Sequence, residues 1–237
     1  MIRALQAFVA RTLRRRMGVP SLATSLERLR AKGLQVSRAY DVGAYRGDFV
    51  TELWQVWPGA KAVCFEPLEA RNAELAERFA SDPRVMVRSD VLGATSHDRV
   101  SFGQAETASS VLLEHVNQAL PRVERTTAAL DDLVAGGLPA PAELWKIDVQ
   151  GYELAVLRGA ERTLAQAQAL VLEVNLLDIH VGVPLLDELA AWLGARGFVA
   201  YDIAGLIRRP LDGALWQTDM VFVKRDSPLR SDKRWSA

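Results

Sequence analysis

The chain has 237 residues, a formal net charge of zero, 49% hydrophobic and 24% charged residues, the make-up of a globular domain long enough to bury a sizeable core. A balanced total carries no electrostatic footprint for nucleic acid, and no run approaches the ~20 apolar residues that a membrane-spanning helix needs. The single cysteine, Cys64, excludes an intramolecular disulfide and fits a reducing cytoplasm; its apolar surroundings read as those of an inert buried thiol.

The charge is unevenly placed. Residues 1–38 hold nine Arg or Lys against one acid, Glu27, which leaves this segment at +8 and the remainder at −8. Ile2, Leu5, Val9 and Leu13 fall on one helical face, with Arg3, Arg11, Arg14 and Arg15 mostly elsewhere, so an amphipathic basic helix is expected. Packing on the main domain is the first reading of that helix, and weak contact with an anionic membrane surface is the second. Its apolar stretch is short and is followed by Arg, unlike a secretory signal. Gly18-Val19-Pro20 ends it, and a second helix is expected up to Lys32, with Gly33 as its stop.

From residue 36 strands and helices alternate. Val36 to Val42 reads as a strand; Phe49, Val50, Leu53, Trp54 and Trp57 then recur at helical spacing until Pro58. Lys61 to Phe65 is a second strand, and Leu68, Asn72, Leu75 and Phe79 follow one face of the next helix. Val85 to Arg88 is a third strand, residues 99–127 are weakly patterned with room for extra strands, and Leu144 to Asp148 is a fourth main strand. One helix with Leu154, Leu157 and Leu164 inward should follow, then the near-continuous apolar strand Ala169 to Val174. A helix over Leu185 to Arg196, two strands at Phe198 to Ile203 and Asp219 to Lys224, and a loose polar tail over 226–237 complete the chain. Alternation of this kind implies a doubly wound α/β sheet, mostly parallel, and the helix-free terminal pair implies one antiparallel strand near the edge. The main domain is placed at 38–225, after an N-terminal extension over 1–37.

Three strand ends carry chemistry. The first runs into Asp41-Val42-Gly43-Ala44-Tyr45-Arg46-Gly47, where glycines let a turn pass close to a ligand and Asp41 can orient the turn or accept from the amino group of a bound amino-acid moiety. This loop lacks the Gly-x-Gly-x-x-Gly of dinucleotide sites, which disfavours a nicotinamide oxidoreductase. Glu66 follows the second strand, 25 residues beyond Asp41, where an acid can accept both ribose hydroxyls of an adenosine. Asp90, after the third, can reach an adenine amino group, though Ser89-Asp90 is also good turn chemistry. In Leu144-Trp145-Lys146-Ile147-Asp148-Val149-Gln150-Gly151-Tyr152-Glu153, the strand period puts Lys146 and Asp148 on one face. A lysine in an apolar central strand demands a partner, either Asp148 or Glu173 of the neighbouring strand.

Asp-Val-Gly-Ala-x-x-Gly, Phe-Glu-Pro and Lys-Ile-Asp-Val-Gln-Gly-x-Glu, with Val156-Leu157-Arg158-Gly159-Ala160, closely resemble the FkbM family of S-adenosylmethionine-dependent methyltransferases. Ser109-Ser110, Leu130-Asp131-Asp132-Leu133, Glu173 and Asp219 before Val221-Phe222-Val223 are secondary matches, and the likeness spans about residues 38–225. The resemblance implies a Rossmann-like methyltransferase fold that modifies hydroxyls of sugars, glycans or secondary metabolites. It implies that Asp41, Gly43 and Gly47, with Tyr45 between them, face the methionine part of S-adenosylmethionine, and Glu66 its ribose. Family members often have Asn where this chain has Tyr45.

An alcohol acceptor must lose a proton, so a base is needed within hydrogen-bond reach. Asp148, Glu173 and His180 are the candidates, in that order by position and the reverse by intrinsic basicity. A divalent metal on Asp148, Glu173 and Asn175 would be another way to acidify the hydroxyl, although the three histidines have no metal-ligand spacing. Two further readings compete: a non-catalytic module that binds the same nucleoside, and methylation of a carboxyl or amino group. Gln150-Gly151-Tyr152 offers no aromatic Pro-Pro turn to stack a planar base. Oligomeric state is not legible.

Overall fold

The computed structural model describes residues 17–104, 109–115 and 121–236, so the amphipathic segment over 2–16 lies outside the described residues. Helix α1 (Leu22–Ala31) starts at Ser21, whose side chain accepts from the Thr24 amide at 3.3 Å, the usual way to satisfy an orphan donor of the first turn. Then come β1 (Arg38–Val42), α2 (Asp48–Val56), β2 (Lys61–Phe65), α3 (Glu69–Arg78), β3 (Val85–Arg88) and β4 (Val91–Leu92). They are followed by β5 (Arg99–Gly103), β6 (Arg122–Ala128), α4 (Leu130–Ala135), β7 (Leu144–Ile147), α5 (Glu153–Arg158) and α6 (Glu161–Leu164). The chain finishes with β8 (Ala169–Asn175), α7 (Leu186–Ala195), β9 (Phe198–Arg208) and β10 (Leu215–Lys224).

The main sheet has the order β3-β2-β1-β7-β8-β10-β9. β3, β2, β1, β7 and β8 are mutually parallel, and β10 runs antiparallel to β8 on one side and β9 on the other. The single reversed strand therefore sits one place in from the edge. From β1 the chain winds outward to β3 and returns to the other side of β1 as β7. The switch point between β1 and β7 is where an open α/β sheet leaves a crevice at its carboxyl edge.

Alternation sorts the side chains onto two apolar faces. Ala39, Ala62, Leu144, Ala169, Val171 and Val221 pack under α1, α2 and α3. Tyr40, Val63, Trp145, Leu170, Leu172 and Phe222 pack under α4, α5, α6 and α7. Both faces are covered, as a parallel sheet requires.

Several elements differ from the sequence expectation. The weakly patterned stretch forms a second, three-stranded sheet in the order β4-β6-β5, in which most residues of β5 and β6 are exposed or half-buried, so no strong apolar row marks them. The helix expected after β7 is two helices, because α5 ends at Gly159. A Cβ at Gly159 would lie 1.9 Å from the Gly93 carbonyl oxygen; the break brings the helix terminus against the end of β4. β9 and β10 run further than Ile203 and Asp219, with Ile203, Leu206 and Ile207 exposed, so the apolar rhythm there marks an edge rather than a core. Within the polar tail Leu229 is buried in the first core, and its carbonyl accepts from Tyr201 Oη at 3.4 Å, whereas Trp235 is fully exposed. Among the described residues no helix is long and apolar enough to cross a membrane.

Gly159→Ala should destabilise the fold by about 1–3 kcal/mol, the usual cost of overpacking, because backbone blocks the new methyl. Gly59→Ala, with nothing within 4 Å of its Cβ position, is the control and should stay within about 0.5 kcal/mol of the parent. Urea denaturation of both variants checks this.

Candidate active site

On the face under α1–α3 the apolar rows give way to polar ones toward the carboxyl edge. Asp41 of β1 is the ladder neighbour of Lys146 of β7. Two residues on, Asp148 follows β7, and Glu173 of β8 faces Asp219 of β10 across the next ladder. Lys146 Nζ donates to Asp148 Oδ2 at 2.9 Å. Gln150 Nε2 donates to Asp148 Oδ1 at 3.0 Å and to Glu173 Oε2 at 3.2 Å, bridging the two carboxylates. Gln217 Nε2, from β10, donates to Glu173 Oε1 at 2.7 Å and to Asn175 Oδ1 at 3.2 Å.

Asp41, Lys146, Asp148, Gln150 and Glu173 line a cavity of about 430 Å³ at the switch point, which also includes Gly43, Tyr45, Glu66, Asp90 and Tyr152. That volume is within the usual range for a small-molecule site. The loop after β1 is held by the Phe65 carbonyl, which accepts from Gly43 N at 2.9 Å and Ala44 N at 3.1 Å. Gly43 has φ 79°, and a Cβ there would lie 1.9 Å from the Asp148 carbonyl oxygen, so glycine is required for the β1 and β7 loops to touch. Tyr45 has φ 47°, a left-handed conformation that Asn tolerates better than an aromatic residue. Glu66 closes the loop by accepting from Tyr45 N at 2.7 Å and Leu68 N at 2.9 Å. Asn72 Nδ2 donates to the carbonyls of Glu66 and Arg88, both at 2.9 Å, joining the ends of β2 and β3.

Asp41 is 0% exposed and neither carboxylate oxygen has a hydrogen-bond partner. Burial pushes its pKa up from 3.8 to about 7, against the pull of Lys146. Burial raises Glu66 as well, with the two backbone amides opposing. Glu173 is raised further, to about 10, by burial and then by Asp148 and Glu153. Burial works against the charge of Lys146, yet Asp148 and Asp41 outweigh it and hold the ammonium above its ordinary value.

The structure thus brings together Asp41, Gly43, Tyr45, Glu66, Asp90, Lys146, Asp148 and Glu173 in one cavity wall. Gly47 lies behind it as the cap of α2, at φ 77°. Asp90 is engaged by Arg88, with Nε to Oδ2 at 2.8 Å. His180 is buried outside the cavity lining, its ring nitrogens without hydrogen bonds and its pKa lowered by burial. Asn175 is tied to Gln217, and among the described residues no group of three His, Cys, Asp or Glu could hold a metal ion.

Residue reasoning passed over Gln150, Gln217 and Asn72 as functional groups. Asn72 and Gln217 interrupt an apolar face and an apolar strand, and that interruption was their signal. Two resemblance positions prove structural. Asp131 accepts from the amides of Arg162 and Thr163 at 2.9 and 2.8 Å, capping α6, and Ser110 Oγ donates to the Gln150 carbonyl at 2.8 Å.

The strand order with one reversed strand, and the acid-lined crevice at the β1–β7 switch point, define a Rossmann-like methyltransferase fold. The methyltransferase FkbM domain matches residues 41–200, and the chain belongs to that family. No curated protein gives a significant match. Similar solved structures include precorrin-6y C5,15-methyltransferase from Geobacter metallireducens GS-15, at 14% identity and TM-score 0.49, covering 85% of each chain. Another is magnesium protoporphyrin IX methyltransferase from Synechocystis PCC 6803, at 13% identity and TM-score 0.49, covering 85% of this chain and 76% of that one.

Removing one member of a buried ion cluster strands the others, so Lys146→Met should cost about 3–5 kcal/mol at pH 8. The cost should be smaller at acid pH. Asp41 has a folded pKa of about 7, raised above 3.8, so the stability that accompanies its neutral form is complete below 3.8 and is lost as pH rises through 7. Below that range a proton does for Asp41 what the ammonium did. Denaturant melts of parent and variant at pH 5 and 8, showing the same difference at both, would remove Asp41 from the cluster's energetics.

Proposed function

We propose that this chain is an S-adenosylmethionine-dependent O-methyltransferase acting on a hydroxyl of a sugar, glycan or secondary metabolite. The observation that carries the donor assignment is the Asp41 carboxylate, fully buried in the cavity wall with both oxygens unpartnered. A buried carboxylate left in that state wants a cationic ligand, and the α-ammonium of the methionine moiety is one. Glu66 uses one hydrogen bond on each oxygen for the protein, which leaves lone pairs for two ribose hydroxyls. Asp90 and Arg88 together would meet the adenine edge. When bound, S-adenosylmethionine supplies a methyl group made electrophilic by its sulfonium.

The protein's remaining work is alignment and proton removal. Asp148 is assigned as the base. It opens into the cavity with 31% of its side chain exposed, and Lys146 ion-pairs it at 2.9 Å. Glu173, raised to about 10, holds its own proton at neutral pH and accepts no second one. His180 lies off the cavity wall. Gln150 fixes the Asp148 carboxylate from the other side, and the Ser110 hydroxyl holds the Gln150 backbone.

Two outcomes are expected. Glu66→Ala should weaken S-adenosylmethionine binding by about 1–3 kcal/mol, the scale of charge-assisted hydrogen bonds, and unchanged affinity by calorimetry would remove Glu66 from the ribose site. Incubation with a deuteromethyl donor and host metabolite or glycan extracts should give a mass-shifted product bearing an O-methyl group. Asp148→Asn should lower that turnover at least ~100-fold at saturating donor. A labelled amine or carboxyl, or near-normal turnover in the variant, would overturn the acceptor assignment or the base respectively.

A further inference from the structure

Among the described residues ten large apolar side chains are exposed, and six of them stand at the carboxyl edge of the sheet, around the cavity. Ile207 of β9 lines the cavity itself, as does Leu22 at the start of α1. β10 runs against β8 and β9 against β10, so β9 points the same way as β8 and ends at the carboxyl edge. The β9–β10 turn therefore projects at that edge, and its Leu211 is 81% exposed. Val19 is three residues before Leu22, so it lies within about 11 Å of it by chain length, and it is exposed, as is Met17. On the β8 side Leu113 and Val181 are exposed neighbours, the Val181 amide donating to the Leu113 carbonyl at 2.7 Å. Exposed apolar side chains gathered in one place mark a contact surface, whereas scattered ones do not.

Charge divides this edge. Beside Val181 stand the exposed acids Asp178, Asp187 and Glu188. On the side of Leu22 and Leu211, Arg209 is answered by Asp212 at 2.5 Å. Arg208 next to it is exposed and has no acid partner among the described residues. The chain also joins the domain on this side, at Met17. The sixteen residues before Met17 carry five arginines, no acid, and the apolar positions Ile2, Leu5, Val9 and Leu13 at helical spacing.

We propose that the β9–β10 turn, the start of α1 and the basic N-terminal segment form one docking surface for an anionic lipid bilayer, with the cavity at its border. Apolar side chains beside cations suit that partner: the acyl boundary takes Met17, Val19 and Leu211, and the acidic headgroups take Arg208 and the N-terminal arginines. The acids beside Val181 keep the β8 half of the edge away from such a surface. Neither part suffices alone. Leu211 and its neighbours bury little apolar area, and the arginines act only within a Debye length of the headgroups. Joined on one side of the domain, the two contributions add. This docking needs no methyl donor, so it is independent of the assignment made above.

The full-length protein is sedimented with phosphatidylcholine vesicles and with vesicles containing about 30% phosphatidylserine. It should sediment with the anionic vesicles only, and less at high salt. Leu211→Asp should weaken that binding on the order of tenfold, the scale of one leucine no longer buried. Met86→Asp is the control: Met86 is equally apolar and exposed, but it lies on β3 at the opposite side of the sheet, and its binding should match the parent. Both variants should keep the parental melting temperature. No sedimentation with anionic vesicles, or equal loss in the two variants, would overturn the proposal. Two other occupants of the surface would also overturn it, each with its own signature. If a second copy covers it, light scattering gives a dimer that Leu211→Asp dissociates. If the N-terminal segment folds back onto it, Leu211→Asp lowers the melting temperature and no vesicle binds.

Discussion

The placement of one ammonium group, Lys146 Nζ, governs the rest of the site. It sits in a central strand of a parallel sheet, where an unpaired charge is not tolerated. Its ladder neighbour Asp41 and its near neighbour Asp148 hold it charged against burial. For both acids to reach it, β1 and β7 must be adjacent, which makes their boundary the switch point of the sheet. Their loops must also meet closely above it, and only glycine at position 43 allows the approach to the Asp148 carbonyl. The electrostatic requirement and the topology thus select the same crevice.

The two faces of the sheet divide stability from chemistry. Under α4–α7 the strands are apolar, with the Tyr40 ring in contact with those of Phe65 and Trp145. Under α1–α3 the rows Ala39, Leu144 and Ala169 are apolar, and then Asp41, Lys146, Asp148 and Glu173 follow toward the carboxyl edge. Leaving Asp41 unpartnered costs stability, and the fold limits that cost by raising its pKa to about 7. On the proposed donor assignment a ligand cation would take over the role of that proton, so the group that costs stability would strengthen binding.

The strands were legible because each repeats at its own period. β2 and β3 have the expected bounds, and Lys146 and Asp148 share a face as period two requires. Legibility failed where a residue's environment comes from distant chain. Gly159 looks like an ordinary helix interior until Gly93 is placed against it. His180 has suitable chemistry, but it is buried outside the cavity lining. Gln217 lies on a strand whose antiparallel pairing puts it beside Glu173 and Asn175, a ladder that no local spacing announces. The FkbM motifs located the crevice and carry Gln150, whereas the contact of Gln217 with Glu173 depended on sheet order.

Those amides explain how two nearby carboxyl groups can have different tasks. Asp148 is partly exposed and has an ammonium on one oxygen; Glu173 is 3% exposed and is surrounded by acids. Burial among acids favours the neutral form of Glu173, the kind of tuning by surroundings that lets one fold perform acid and base chemistry at neutral pH. Gln150 and Gln217 suit this arrangement because a side-chain amide can present either its N–H or its carbonyl. Turned one way, Gln217 donates to an ionised Glu173; turned the other, it accepts the proton of a neutral one. An arginine at either position could only donate and would draw Glu173 into its ionised form. The cluster would then hold two ionised carboxylates side by side, where the proposed base is one.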